Sequence, residues 1–194
     1  MAVSKERLKP ASIIKRLHKA AGTGKLDILR TILSASPGLV NATDAEGQTP
    51  LHYAADGNQL AAVSFLLSQG AAVNEMSHLK WTPLHSACNL NHYEVVGRLL
   101  AAGADVGAIA DEAQTVLHLA ASTQESKDTL LLLLTKEDIT KLATVRNTAR
   151  QTAEDIARDR TIFGGLFEMA VPAVSYIRSV GFTCNGYCRG SVGC

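Results

Sequence analysis

Apolar residues in this chain fall into pairs of short stripes with helical spacing. Leu26, Ile28, Leu29, Ile32 and Leu33 form one stripe. Leu60, Val63, Leu66 and Leu67 form the next, followed by Val95, Val96, Leu99 and Leu100. Breakers stand between stripes: Gly24, Ser36-Pro37-Gly38, Gly70 and Gly103. Each stripe follows a short segment with its own start signal. Thr49-Pro50-Leu51-His52 returns 33 residues later as Thr82-Pro83-Leu84-His85, and after another 33 as Thr115-Val116-Leu117-His118. Threonine caps a helix and proline suits the first turn, where its missing N–H is not needed. Asn58 and Asn91, residues that tolerate left-handed backbone, occupy the turn where the first pair has Gly24.

The two ends depart from the unit. Leu17-His18-Lys19-Ala20-Ala21 aligns with Leu51 to Ala55 at an offset of 34, but Lys15 and Arg16 stand where Thr-Pro is expected. Its helix is predicted to begin after Ser12. At the other end Gln151-Thr152-Ala153 opens a fifth unit 37 residues after Thr115, so about four residues are inserted near 135–147. Its helix is polar, as the exposed face of a terminal unit requires. Ile162, Phe163, Leu166, Phe167 and Met169 are expected to supply its apolar face. Leu130 to Leu134 is unbroken leucine, which predicts a helix buried on every side.

Thr-Pro-Leu-His-x-Ala-Ala at this period, with Gly70-Ala71-Ala72-Val73 and Gly103-Ala104-Asp105-Val106 further along the unit, resembles the ankyrin repeat. The resemblance covers roughly residues 12 to 170. Trp81 to Cys88, Ser126 to Leu130, Asp155 to Arg158 and Leu166 to Glu168 are similar to small stand-alone vertebrate members. The fold expected is an all-α ankyrin-repeat solenoid of about five stacked helix-turn-helix units, joined by projecting loops or β-turns. The expected organisation is a basic arm over 1–11 and an array over 12–178, with units near 12–46, 47–79, 80–112, 113–149 and 150–178. A flexible tail carrying cysteine and glycine is expected over 179–194.

A net charge of +1 over 194 residues supplies no global attraction to nucleic acid or an anionic membrane. No apolar run is long enough for a transmembrane span, and the N-terminus carries no apolar core of a secretory signal. Three of the four cysteines, Cys184, Cys188 and Cys194, crowd the last residues and cannot staple the body. A reducing compartment, cytoplasmic or nuclear, is expected. The arm's Lys5, Arg7 and Lys9 leave open a nuclear-import signal or a nuclear, transcription-associated regulator. The tail thiols leave open a metal-responsive role, although zinc needs four ligands and no histidine lies near them.

Catalytic chemistry finds little support. His18, His52, His85 and His118 hold one repeat position, which marks them as parts of the unit. Gly22-Thr23-Gly24-Lys25 lacks both the earlier glycine and the following Ser or Thr of a phosphate loop. No enzyme activity, catalytic residue, cofactor or metal site is expected. The partner expected is another protein, bound by a monomer acting as scaffold, adaptor or regulator. No small-molecule substrate or membrane is expected, and nucleic acid is not favoured. Family members usually bind along loop tips and inner helices. Carried over to this chain, the resemblance selects Gln48, Tyr53 and Asp56, then Trp81, Ser86 and Asn89, then Gln114, Leu119 and Ser122. His78 and Leu79 join them at a loop tip. Trp81, the chain's single tryptophan, is the expected centre, since Trp and Tyr are enriched at binding hot spots.

Overall fold

The computed structural model describes residues 10–136 and 142–167. The arm before Pro10, Met169, the tail and its three cysteines lie outside the described residues.

Helices alternate between two layers. α1 (Pro10–Gly22), α3 (Pro50–Asp56), α5 (Pro83–Asn89), α7 (Val116–Ser122) and α9 (Ala153–Arg160) stack in order as an inner layer. α2 (Leu26–Ala35), α4 (Leu60–Ser68), α6 (Tyr93–Ala101) and α8 (Lys127–Leu134) stack behind them. One apolar core runs through the stack, from Leu17 and Leu29 through Leu51, Leu84 and Leu117 to Leu133 and Ala157. The described residues form no β-strand, only an isolated bridge between Ile109 and Thr115. The all-α repeat architecture expected from the sequence is the one observed.

The start signals act as predicted. Pro50 and Pro83 occupy first helical positions, and Thr49, Thr82 and Thr115 precede their helices in extended conformation. Asn58 and Asn91 adopt φ of 54° and 56° in the turns between helices. Gly57 is required for a different reason: a Cβ there would collide with the carbonyl of Gly22 at the end of α1.

Four hairpin loops project from the stack, each closed by one backbone hydrogen bond. The donors are the N–H groups of Asp44, Ser77, Ala110 and Asn147, and the acceptors are the carbonyls of Gln48, Trp81, Gln114 and Gln151, at 3.0, 2.9, 2.8 and 3.0 Å. Each loop holds a left-handed residue, Gly47, Lys80, Ala113 and Arg150 at φ of 76°, 57°, 55° and 62°, and the third loop holds a second, Glu112, at 60°. Adjacent loops are tied edge to edge. The N–H groups of His78, Asp111 and Thr148 donate to the carbonyls of Glu46, Leu79 and Glu112 in the preceding loop, at 2.9, 3.1 and 3.0 Å.

Three expectations need correction. α1 begins at Pro10, ahead of Ser12, because nothing at Lys15-Arg16 stops the helix where Thr-Pro stops the others. Leu131 is 38% exposed: an outer-layer helix is covered on its inner side and by lateral neighbours, and one face remains in solvent. Ile162 is 92% exposed and adds nothing to the terminal apolar face, which Phe167, Phe163 and Leu166 supply.

Candidate functional site

The repeated histidines are committed to architecture. In the second unit Thr49 N–H donates to His52 Nδ1 at 3.1 Å, and the Thr49 hydroxyl lies 2.9 Å from the same nitrogen. With Nδ1 accepting, the proton sits on Nε2, which donates to the carbonyl of Trp81 in the next loop at 2.9 Å. His118 repeats both contacts, with Thr115 at 3.2 Å and the Gln151 carbonyl at 3.1 Å. Each ring therefore caps its own helix with one nitrogen and holds the following unit with the other. His85 keeps the cap, with Thr82 N–H at 3.2 Å. Its Nε2 is buried without a hydrogen bond of normal geometry, although the Gln114 and Ala108 carbonyls face it. Burial lowers the pKa of all four histidines, and that of His85 falls to about 4. These rings are neutral at pH 7.

Since Thr, Leu and His point inward, the residues that differ between units face outward. Gln48, Gln114 and Trp81 sit half-buried at loop bases. Trp81 packs its inner part on the core, with its ring centroid 6.3 Å from that of His85. Asp56, Asn89 and Ser122 lie near the ends of the inner helices, exposed or half-buried. Ser86 and Leu119 are each only 8% exposed and offer a partner little area. Leu79 is 62% exposed at its loop tip. The His78 ring lies over Gly47, whose positive φ and missing Cβ make room for it. Lys80 pairs with Asp111 of the next loop at 3.4 Å, both exposed. Met76 and Ile109, at equivalent loop positions, add exposed apolar area beside Leu79.

Tyr53 belongs to a different neighbourhood. Its ring lies 4.8 Å from that of His18, and its hydroxyl donates to Asp44 Oδ2 at 2.8 Å. Asp44 Oδ1 accepts from the N–H groups of Glu46 and Gln48 at 2.9 and 2.8 Å. Partial burial works to raise the Asp44 pKa, but these hydrogen bonds outweigh it and hold the carboxyl below its usual value. The same Asp44 contact pushes Tyr53 up to about 12. The pair forms part of the wall of a cleft of about 830 Å³ between α1 and the first loop, lined also by Ile14, Lys15, Lys19, Glu46 and Asp56.

Sequence reasoning picked out Tyr53 and Asp56 from this cleft and missed the rest. The available signal was Lys15-Arg16, which lets α1 run on and become a wall. Asp44 was also readable as a hairpin residue, because Ser77 and Asn147 occupy its equivalent positions and use their side chains to receive the N–H groups of Trp81 and Gln151. Among the described residues no cluster of His, Cys, Asp and Glu could hold a metal, and no helix is long and apolar enough to cross a membrane.

Comparison with known proteins agrees with this architecture. A family model described as ankyrin repeats (3 copies) matches residues 17–110 and 72–145. The chain is 52% identical over 150 residues to ankyrin repeat domain-containing protein 49 of Homo sapiens, covering 77% of this chain and 62% of that protein. It is 45% identical over 58 residues to palmitoyltransferase akr1 of Schizosaccharomyces pombe, covering 30% of this chain and 9% of the enzyme. It is 41% identical over 59 residues to the human transient receptor potential cation channel subfamily A member 1, again over 30% of this chain and 5% of the channel. The chain thus spans less than two thirds of each of these relatives. Proteins built from such arrays typically mediate protein–protein interaction and carry no catalysis. The stacked helix pairs, the threonine–histidine caps at their fixed period and the family match converge on one assignment: the chain belongs to the ankyrin-repeat family.

Proposed function

We propose that this chain is a non-catalytic adaptor or regulator that binds another protein along its loop bases and inner helices. The observation that carries the reading is the division of labour within each unit. Thr49, Thr82, Thr115 and the histidines of the same units are buried in architecture, and the varying residues Gln48, Asp56, Trp81, Asn89, Gln114 and Ser122 are exposed or half-buried. The contact surface proposed comprises Gln48, Tyr53, Asp56, His78, Leu79, Trp81, Asn89, Gln114 and Ser122, with Ser86 and Leu119 beneath. Trp81 is its centre: its outer part is accessible while its inner part is braced, so little entropy remains to be lost on binding. A monomer in a cytoplasmic or nuclear setting is part of the proposal.

The test compares intact chain with the Trp81→Ala/Asn89→Ala variant in quantitative affinity capture, after circular dichroism has shown equal helicity. Tyr53 is left unchanged because it also packs on His18. A partner bound through this face should lose about 2 kcal/mol or more of binding energy. Undiminished capture of every recovered partner by the folded variant would move the interface elsewhere.

A further inference from the structure

The loops form a ladder in which each passes one hydrogen bond to the loop before it. His78, Asp111 and Thr148 supply the donors. The equivalent position in the first loop is Ala45, exposed, and its N–H meets no acceptor among the described residues. Among the described residues no loop precedes the first unit to accept it. Where that loop would lie, α1 runs on past its counterparts: Pro10 is about six residues ahead of Arg16, the position equivalent to Pro50, or roughly 9 Å of extra helix. The cleft of about 830 Å³ separates this overhang from the loop, and Ala45 lines it. Its size falls within the range of about 300–1,000 Å³ found for ligand pockets.

The walls carry opposite charges. Lys15 and Lys19, one helical turn apart on α1, line one side, and Glu46 and Asp56 line the other. No ion pair joins the two walls among the described residues. The floor, with Ile14, is in part apolar.

We propose that the cleft receives a short extended peptide segment of mixed charge from a protein partner. Its backbone carbonyl accepts the Ala45 N–H and so continues the ladder by one rung. An acidic side chain meets Lys15 and Lys19, and a basic one meets Glu46 and Asp56. The inference rests on the protein-binding reading and extends its surface, through Tyr53 and Asp56, to the end of the stack away from Trp81.

The test titrates ¹⁵N-labelled full-length chain with three synthetic peptides of equal length: alternating Glu-Leu-Lys, alternating Gln-Leu-Gln, and alternating Lys-Leu-Lys. In free protein the Ala45 amide should exchange rapidly with solvent while His78, Asp111 and Thr148 are protected. The mixed-charge peptide should shift the Ala45 amide, slow its exchange and bind more tightly than the other two. The Lys15→Glu/Lys19→Glu variant, folded by circular dichroism, should weaken that binding about tenfold or more, with the loss shrinking at high salt. Equal binding of all three peptides, or shifts centred on Trp81, would overturn the proposal. An Ala45 amide protected before any peptide is added would overturn it too, with dilution separating a second copy from the chain's own residues 1–9 as the cover. If the peptides fail while Trp81→Ala/Asn89→Ala still loses a captured partner, this inference falls and the protein-binding reading stands.

Discussion

The first and last units depart, each in its own way, from what the second and fourth units do with histidine. In the second and fourth units the imidazole caps its own helix through Nδ1 and reaches the next unit through Nε2. In the first unit Lys15 stands where the capping threonine would be, and His18 Nε2 lies 2.9 Å from the carbonyl of Ala42, within its own unit, in place of Gln48, the position equivalent to Trp81 and Gln151. In the last unit the cap survives without the tie: Thr152 N–H donates to Asp155 Oδ2 at 2.9 Å, and Asp155 N–H donates to the Thr152 hydroxyl at 3.2 Å. Aspartate serves this cap with an exposed carboxylate, and no onward carbonyl meets it among the described residues. The two roles of the histidine are thus separable.

The largest way to break this pattern is to empty the core that both roles serve. Leu84 is fully buried between successive inner helices. Leu84→Ala should cost about 2–5 kcal/mol, seen as a lowered thermal midpoint, and unfolding near wild type would contradict the assigned register.

Acid should separate the centre from the C-terminal cap. A histidine whose folded pKa is depressed favours the fold while neutral, above the unfolded value of 6.5. That stability drains as pH falls toward the folded pKa, about 4 for His85. The loss for His85 is about 3 kcal/mol across that window. Asp155 is held below 3.8 by hydrogen bonds to Thr152, so its contribution persists until pH falls under that value. Amide exchange at pH 5 should therefore loosen α5 before the N-terminus of α9. The reverse order would show that the central rings are not held neutral.

A pair of substitutions measures the two roles. His52→Ala removes both cap and tie, whereas His52→Asn retains an acceptor for Thr49 N–H and loses only the Trp81 contact. Denaturant titration should place Asn about 1 kcal/mol above Ala. Equal loss from both would mean that the tie carries the whole effect. The smallest expected change is at Ala113, which holds φ of 55° without glycine. Ala113→Gly should raise stability by up to about 1 kcal/mol, since relief of the left-handed conformation slightly exceeds the entropy cost.

Much of the architecture was written in local signals. Thr-Pro before Leu-His set the helix starts, and Asn58 and Asn91 marked left-handed turns. Leu131 was misread because five consecutive leucines carry no information about which neighbours cover them. The N-terminal cleft was missed for a related reason. Lys15-Arg16 was legible as a missing cap, but its consequence depends on how α1 stacks against the first loop. Trp81 was recognised from its rarity, while its bracing against the His85 ring of the same unit became visible only in the folded loop.

The most direct test of the two-role histidine is nitrogen-detected NMR of the imidazoles at pH 7. The account predicts neutral rings at His52 and His118, protonated on Nε2 and bare on Nδ1, with a scalar coupling across the hydrogen bond from Thr49 N–H to His52 Nδ1. Protonation of Nδ1, or a charged ring at either position, would contradict it.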